Sequence, residues 1–421
     1  MLRKINTNKK QKFPLVDDEL KSKVFVTLSL LVLIRLGTFI PVPGIDQESL
    51  SISLKNSPIA SFLSTFSDRK TFIIGLFTLN IFPYINASIL MQILVSTFPK
   101  LQKLQKEGGL AGRQEITQLT RLLSLGWALF QSTTIAFFLK GILFGWDFNL
   151  ALQIVAYLTS GAMIVMWFSE LITEYGVGNG ASLLIFTNIV SNLPNLVKSV
   201  FSDQTAALTI PTKVLISTIV VIAISGIIYL QEGVRMIPLI SSKELLSSSK
   251  VGGNFIPLRL NQAGVMPIIF TATLLVLPAY LIKSAGLPII KFLFLNKILY
   301  WVSYFSLVLG FSYFYSTIIL NPKDISNELR KMAVTVPGTR PGSQTTFFLK
   351  NEMKRITFIG ATFLAIITTL PNILEIILNV QTLKGLGTTS LLILVGVIID
   401  TTREIRSIVL SNIYKNRIKS Q

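Results

Sequence analysis

The feature that most constrains this chain is a series of long stretches without any Asp, Glu, Lys or Arg. Spanning a bilayer as an α-helix takes about 20 mainly apolar residues. Only 14% of the 421 residues are charged, against about a quarter in a soluble domain. We therefore predict an all-α polytopic membrane protein, because barrel strands would be short and alternating. The charge-free stretches are 71–99, 122–139, 148–169, 175–197, 214–231, 260–282, 298–322 and 356–374.

The chain contains no cysteine and no histidine. This composition excludes thiolate or imidazole metal sites, disulfides and Cys or His catalysis. We therefore predict neither an enzyme nor a cofactor site. The basic residues 1–23 precede an apolar run that ends at Pro41–Gly44 without a small-residue cleavage site, so we interpret that run as a first anchor rather than a cleavable signal.

Hydrophobic patterning predicts ten spans, and the charges between them predict their orientation. When basic residues at the span ends are counted with the nearer side, and Arg35 and Arg121 are left out, the side with both termini and the even-numbered loops carries 27 Lys and Arg, against 10 on the other side. Basic residues concentrate on the cytoplasmic side, so we expect both termini to be cytoplasmic, or stromal in a plastid. The predicted spans are 22–40, 72–98, 118–140, 151–172, 181–200, 212–232, 262–283, 299–320, 356–375 and 388–409.

The ten spans divide into two halves of five, 22–200 and 212–409, joined by an outer loop at 201–211. Residues 1–21 and 410–421 are the two tails. An odd number of spans per half forces the halves into opposite orientations, as in an inverted repeat with a pathway between its halves. This prediction rests on the span count alone.

Two cytoplasmic loops, 233–261 and 321–355, stand out. The second carries seven Lys and Arg against three Asp and Glu, and contains two Pro-Gly pairs around Arg340 within Val336–Gly342. Pro-Gly pairs make sharp, stiff turns. Moving a small solute does not require such a loop, so we predict that a large partner docks there.

Two features leave alternatives open. Residues 57–67 are moderately apolar and too short to span, so they form either a surface turn or a re-entrant segment buried in protein. The spans hold almost no acids at mid-depth, where ion-coupled transporters normally bind their ion. A small-solute secondary transporter with an inverted repeat is therefore the weaker alternative, and an insertase or scaffold without a continuous pore is a third.

Six motifs, in order, resemble the SecY family of channel subunits of the Sec protein translocase over about residues 20–410. The resemblance implies a clamshell of two five-helix halves through which unfolded polypeptides pass. It also implies a lateral gate, formed by spans two, three, seven and eight, that releases transmembrane segments into lipid. The motifs are Phe39–Asp46, Pro83–Ser88, Gly176–Gly180, Asn261–Pro267, Val336–Gly342 and Gly387–Ile393.

The same resemblance implies roles for individual residues. A pore ring would close around the translocating chain, a plug within 57–67 would seal the outer side, and basic loop residues would dock a motor or ribosome. The plug has no glycine here, which departs from the small, glycine-containing plugs of the family. The ring residues are Ile81, Ile85, Ile185, Ile189, Ile269 and Ile393, the plug residues Phe62, Leu63 and Phe66, and the docking residues Arg340, Arg235, Lys243, Lys250 and Arg259.

The partners that the resemblance implies are SecE, a SecG-like subunit, the SecA motor ATPase, the ribosome, the unfolded preprotein and the lipid bilayer, with no direct nucleic-acid contact. The chain is rich in Ile, Leu, Phe, Lys, Asn and Ser, residues that AT-rich coding favours. This composition favours a plastid-encoded thylakoid protein over a bacterial inner-membrane protein.

Overall fold

The computed structural model describes residues 18–43, 45, 74–140, 147–201, 210–241, 254–262, 264–268, 270–271, 297–319, 321–378 and 388–419. The described part is mostly helical. Its N-terminal half contains α1 (Asp18–Gly37), α2 (Phe82–Thr97), α3 (Pro99–Glu107), α4 (Gly109–Leu139), α5 (Phe148–Tyr175) and α6 (Gly180–Phe201). Its C-terminal half contains α7 (Ile210–Glu232), β1 (Val234–Ser241), β2 (Asn254–Arg259), α8 (Lys297–Ile319), α9 (Pro322–Lys331), β3 (Val334–Thr335), α10 (Ser343–Leu378) and α11 (Thr388–Lys419).

Helices occupy nine of the ten predicted spans. In the remaining one, the seventh, residues 266–268 and 270–271 near its start are also helical. Among the described residues, the helix Phe148–Tyr175 and the stretch Val302–Lys331, which takes in α8 and α9, have the length and composition to cross a bilayer. Three shorter apolar helices are Phe82–Thr97, Gly180–Ser191 and Ser217–Glu232. The apolar pattern thus predicted where the helices lie, whereas their lengths differ from the predicted spans.

Two boundaries differ from the prediction for physical reasons. α2 begins at Phe82 rather than at 72, because Asn80 adopts a positive φ of 49° and Pro83 lies in the first turn. A proline there removes no helical hydrogen bond, so Pro83 starts the helix instead of kinking it. α10 begins at Ser343 rather than at 356, so part of the predicted 321–355 loop is helix.

The starts of the second and seventh spans share one backbone arrangement. Gly264 has a positive φ of 63° and lies three residues before Pro267, as Asn80 lies three residues before Pro83. The Asn80 side-chain Oδ1 accepts a 2.8 Å hydrogen bond from the Ile81 N–H, and the Asn261 side-chain Nδ2 donates a 2.9 Å bond to the Gly264 carbonyl. Each amide side chain therefore satisfies a backbone group at a helix start.

The two halves also share their internal helix contacts. In the first half, Ser132 of α4 and Thr159 of α5 form a buried 2.8 Å hydroxyl hydrogen bond. In the second half, Ser316 of α8 and Thr357 of α10 form a buried 2.7 Å hydroxyl bond. Polar groups inside apolar helix packing are stable when they bond to each other. The first bond joins predicted spans three and four, and the second joins spans eight and nine. In each half, the third span is therefore bonded to the fourth.

A glycine follows each of these threonines and permits close backbone contact. A Cβ at Gly161 would collide with the carbonyl oxygen of Leu76, just before α2. A Cβ at Gly360 would collide with the carbonyl oxygen of Leu260, just before the seventh span. The fourth helix of each half therefore holds the irregular backbone that precedes the second helix.

We expect Gly360→Ala to destabilise the protein by about 1–3 kcal/mol, because the added methyl meets a fixed carbonyl and the packed backbone must shift. The matched control is Gly310→Ala on α8, where an added Cβ has nothing within 4 Å. There the change should be neutral or raise stability by up to about 1 kcal/mol. Thermal unfolding of both variants in one detergent measures the difference, and equal melting temperatures would contradict the close-contact interpretation.

Candidate functional site: a central apolar cluster and a loop module

Side chains from both halves meet in one apolar cluster of the described structure. We call it the central cluster. Its buried members are Ile34, Phe77, Ile81, Ile85, Ile89, Val165, Ile172, Leu183, Leu184, Tyr315, Ile393 and Val397. Because α11 packs along α6, the two halves share this core at their interface.

Five of the six predicted ring isoleucines belong to or contact the central cluster. Ile81 and Ile85 come from the start of α2 and Ile393 from α11, and all three are buried. Ile185 and Ile189 of α6 are partly buried and pack against the cluster. The sixth, Ile269, lies outside the described residues, as do the predicted plug residues Phe62, Leu63 and Phe66.

The backbone geometry explains how these side chains come together. The Ile85 N–H donates to the Ile81 carbonyl at 3.1 Å, so both side chains lie on one face of the first α2 turn. Residues 185 and 189 have the same four-residue spacing on α6. An aliphatic surface of this kind offers dispersion contacts and no hydrogen bond. It can therefore pack against a polypeptide with apolar or polar side chains without binding a particular sequence.

A repeat that the sequence analysis missed lies at two of these positions. Residues 182–185 and 390–393 both read Ser-Leu-Leu-Ile. Ile185 lies five residues after the first residue of α6, and Ile393 lies five after the first residue of α11. Both isoleucines reach the central cluster. A search for matching short runs at the start of corresponding spans would have found this signal.

The two loops predicted to dock a partner form one folded unit, which we call the loop module: β1, β2, α9, β3 and residues 343–356 of α10. The sheet order is β2-β1-β3 with antiparallel pairing. Ile240 of β1 pairs with Thr335 of β3, and Ser241 pairs with Val334, so the sheet joins the 233–261 loop to the 321–355 loop. The sequence indicates two separate segments, whereas the structure folds them against each other.

The loop module has its own small core. One face of the sheet packs against α9 and the first turns of α10, and the buried members are Ile237, Leu258, Leu329, Val336, Leu349, Met353 and Ile356. Beside this core the Glu352 carboxylate, 9% exposed, lies 2.9 Å from the Arg235 guanidinium and 3.9 Å from that of Arg355. Arg235 therefore holds the sheet on α10.

The Pro-Gly turns present Arg340 at the surface of the loop module. The Thr339 N–H donates to the Val336 carbonyl at 3.1 Å, and Gly338 has a φ of 79°, as in a type II turn. The Ser326 hydroxyl of α9 donates to the Gly342 carbonyl at 2.9 Å, and the Thr345 hydroxyl of α10 donates to the Arg340 carbonyl at 2.8 Å. These bonds form the turn and fasten it to α9 and α10.

The predicted docking residues differ in exposure and in whether their charges are paired. Arg340 is exposed, and within the described residues its guanidinium has no hydrogen bond or ion pair. Arg259 is exposed on β2. Arg235 has a second role, since its charge is shared with Glu352. Lys243 and Lys250 lie outside the described residues. The structure thus brings Arg235, Arg259 and Arg340 into one unit.

Comparison with known proteins identifies relatives of this chain. A family model described as SecY matches residues 75–402. The protein translocase subunit SecY of Trieres chinensis is 54% identical over 413 residues, covering 94% of this chain and 97% of that relative.

Two solved channels have a similar fold. One is a SecY protein whose plug domain is described as stabilising the closed channel and maintaining a membrane seal. It is 17% identical, covers 94% of both chains and has a TM-score of 0.65. The other is Sec61 in the canine ribosome–channel complex, also 17% identical with 94% coverage of both chains, at a TM-score of 0.61.

We expect Arg235→Gln to loosen the sheet of the loop module, because it leaves the mostly buried Glu352 with the more distant Arg355. Arg235 is 55% exposed, so solvent screens the pair and the loss is about 1 kcal/mol. Amide hydrogen exchange of residues 234–259 should then be about fivefold faster. Lys350→Gln, at an exposed position of α10, is the charge-matched control. Unchanged exchange in Arg235→Gln would rule out the clamp.

Proposed function

Because the chain belongs to the SecY family of protein translocase subunits, we propose that it forms the channel through which unfolded polypeptides cross a membrane and from which transmembrane segments pass sideways into lipid. The observation that carries this proposal is the meeting of Ile81, Ile85, Ile185, Ile189 and Ile393 in the central cluster. Three helices from two halves of the chain supply them. No comparable feature favours the small-solute transporter.

We propose ten spans in two inverted halves. Three paired features support this arrangement: the positive-φ starts at Asn80 and Gly264, the hydroxyl bonds Ser132–Thr159 and Ser316–Thr357, and the repeated Ser-Leu-Leu-Ile run. Each feature occurs at corresponding spans. Five helices per half would invert the second copy.

The pore ring would act as a gasket at the centre of this channel. Branched apolar side chains close around any chain, whatever its sequence, and make no hydrogen bond that would hold it. A narrow apolar constriction also excludes water and so blocks ions at rest. A plug at 57–67 would add a second seal on the outer side, as its family resemblance suggests.

The loop module would dock the source of energy, either the SecA motor or a translating ribosome. The backbone of its exposed Arg340 is already held in a hydrogen-bonded turn, so little backbone conformational entropy is lost when an acidic partner binds. The Sec61 relative in a ribosome–channel complex supports a ribosome as one partner. SecE and a SecG-like subunit would complete the assembly.

We further propose that both termini face the cytoplasm or stroma and that the protein resides in a thylakoid membrane. The charge distribution supports the orientation. The relatives, mostly plastid and cyanobacterial, support the location. A bacterial inner membrane is the alternative.

The experiment that tests the channel proposal places single cysteines at Ile85, Ile189 and Ile393 and crosslinks them to a stalled secretory chain. The chain contains no cysteine, so no background reaction occurs. Crosslinks at all three positions, and none from a cysteine at lipid-exposed Phe137, are expected. A stalled chain that reaches none of the three would overturn the proposal.

We expect the double variant Ile85→Gly and Ile189→Gly to leak ions at rest, because two of the branched side chains that exclude water are removed. Conductance of reconstituted channels in planar bilayers measures the leak. The matched control, Ile135→Gly with Ile154→Gly, removes two buried isoleucines from the packing of α4 on α5, outside the central cluster. Equal leakage from both double variants would show general destabilisation instead of a lost gasket.

We expect Arg340→Glu to abolish motor-driven export while leaving the fold intact, because it reverses the exposed charge at the docking turn. Export of a reporter by reconstituted channels measures this effect. Arg330→Glu on α9, an equal charge change outside the turn, should lose much less activity. Normal export by Arg340→Glu would contradict the docking assignment.

A further inference from the structure

An ion pair joins the two halves of the described structure close to the ends of α2 and α8. Lys106 Nζ of α3 lies 2.5 Å from Asp324 Oδ2 of α9. The residues belong to different halves, 218 positions apart. We propose that this pair is an electrostatic latch that holds the halves closed, and this inference rests on the two-half channel proposed above.

The packing between the halves is uneven. α6 lies along α11, whereas α2 and α8 touch over only a few residues. A clamshell opens where the fewest apolar contacts must separate, because each buried apolar area adds to the free energy of opening. Of these two contacts within the described residues, the α2–α8 contact is the smaller, and it lies at the lateral gate that the family resemblance implies. A polar contact there adds its own free energy to the free energy of opening.

The ion pair is attached directly to the two helices at this side. α2 ends at Thr97 and α3 begins at Pro99, with Phe98 between them. α8 ends at Ile319, and α9 begins at Pro322. Separating α2 from α8 must therefore carry Lys106 away from Asp324.

Helix ends favour both charges of the latch. Lys106 lies in the last turn of α3, where the helix dipole favours a cation. Asp324 lies in the first turn of α9, where the dipole favours an anion, and Asn321 caps the same turn by accepting a 3.1 Å bond from the Lys323 N–H. Each charge is consequently stabilised by its own helix.

The exposure of the pair sets the size of its effect. The side chains are 46% and 43% exposed, so water and salt weaken the attraction. Exposed ion pairs shift an equilibrium by up to about fivefold. Such a latch biases a resting channel towards the closed state but yields easily to a docking partner or an apolar signal segment.

Charge exchange tests the latch. Lys106→Asp and Asp324→Lys should each raise the resting open probability of reconstituted channels at least about fivefold, because each puts like charges in contact. The swapped double variant should restore the wild-type value. The matched control is Lys103→Asp, one turn earlier on α3, which should leave the open probability within about twofold of wild type.

A distance measurement supplies a second readout that does not depend on ion flow. Spin labels on cysteines placed at exposed Gln105 of α3 and exposed Asn327 of α9 report the separation of the halves. Lys106→Gln should add a longer distance to the distribution at 50 mM salt, and the difference from wild type should shrink at 1 M salt, where the screening length is about 3 Å.

Identical distances in wild type, both single variants and the swapped variant would overturn the latch. If the crosslinks at Ile85, Ile189 and Ile393 still form in that case, the channel itself stands and only the latch fails. Loss of both the crosslinks and the distance changes would instead refute the two-half channel on which the latch rests.

Discussion

Irregular backbone at membrane depth must find its hydrogen-bond partners inside the protein or in a water-filled cavity, because lipid offers none. This constraint is most severe just before α2 and before the seventh span, where the chain is not yet helical. Asn80 and Asn261 satisfy backbone groups there, and Gly161 and Gly360 let the neighbouring helix approach. The position of Ile81 and Ile85 in the central cluster follows from that start. A helix running straight from residue 72 would place these side chains elsewhere.

The apolar pattern was sufficient to predict where the helices lie, because charge-free runs leave few alternatives to membrane helices. It did not predict where α2 begins, because hydropathy does not indicate the positive φ that Asn80 adopts. The apolar pattern also did not predict the extra helical turns of α10 before residue 356. Residues 343–355 are polar on one side, and only the contact of Leu349 and Met353 with the sheet makes that helix part of a core.

The sequence predicted the isoleucines of the candidate site better than the arrangement of its loops. The motif order was sufficient to select the isoleucines that meet in the central cluster, although burial alone also describes ordinary packing. The docking residues were selected as separate charges in separate loops. The pairing of Ile240 with Thr335 could not be predicted, because antiparallel register between distant segments depends on the tertiary fold. The same pairing explains why Arg235 has a structural role that its charge alone did not indicate.

The sheet between the two loops has a mechanical consequence for a channel of this kind. β3 and the Glu352–Arg235 pair tie the Arg340 turn to β1, so a partner docked at Arg340 as proposed would also load that strand. The base of that hairpin is fixed in turn to α11, where the Arg403 guanidinium donates to the Gln231 carbonyl and lies 3.2 Å from Glu232. α11 continues without a break to Ile393 in the central cluster. The loop module and the central cluster are therefore joined through one continuous helix.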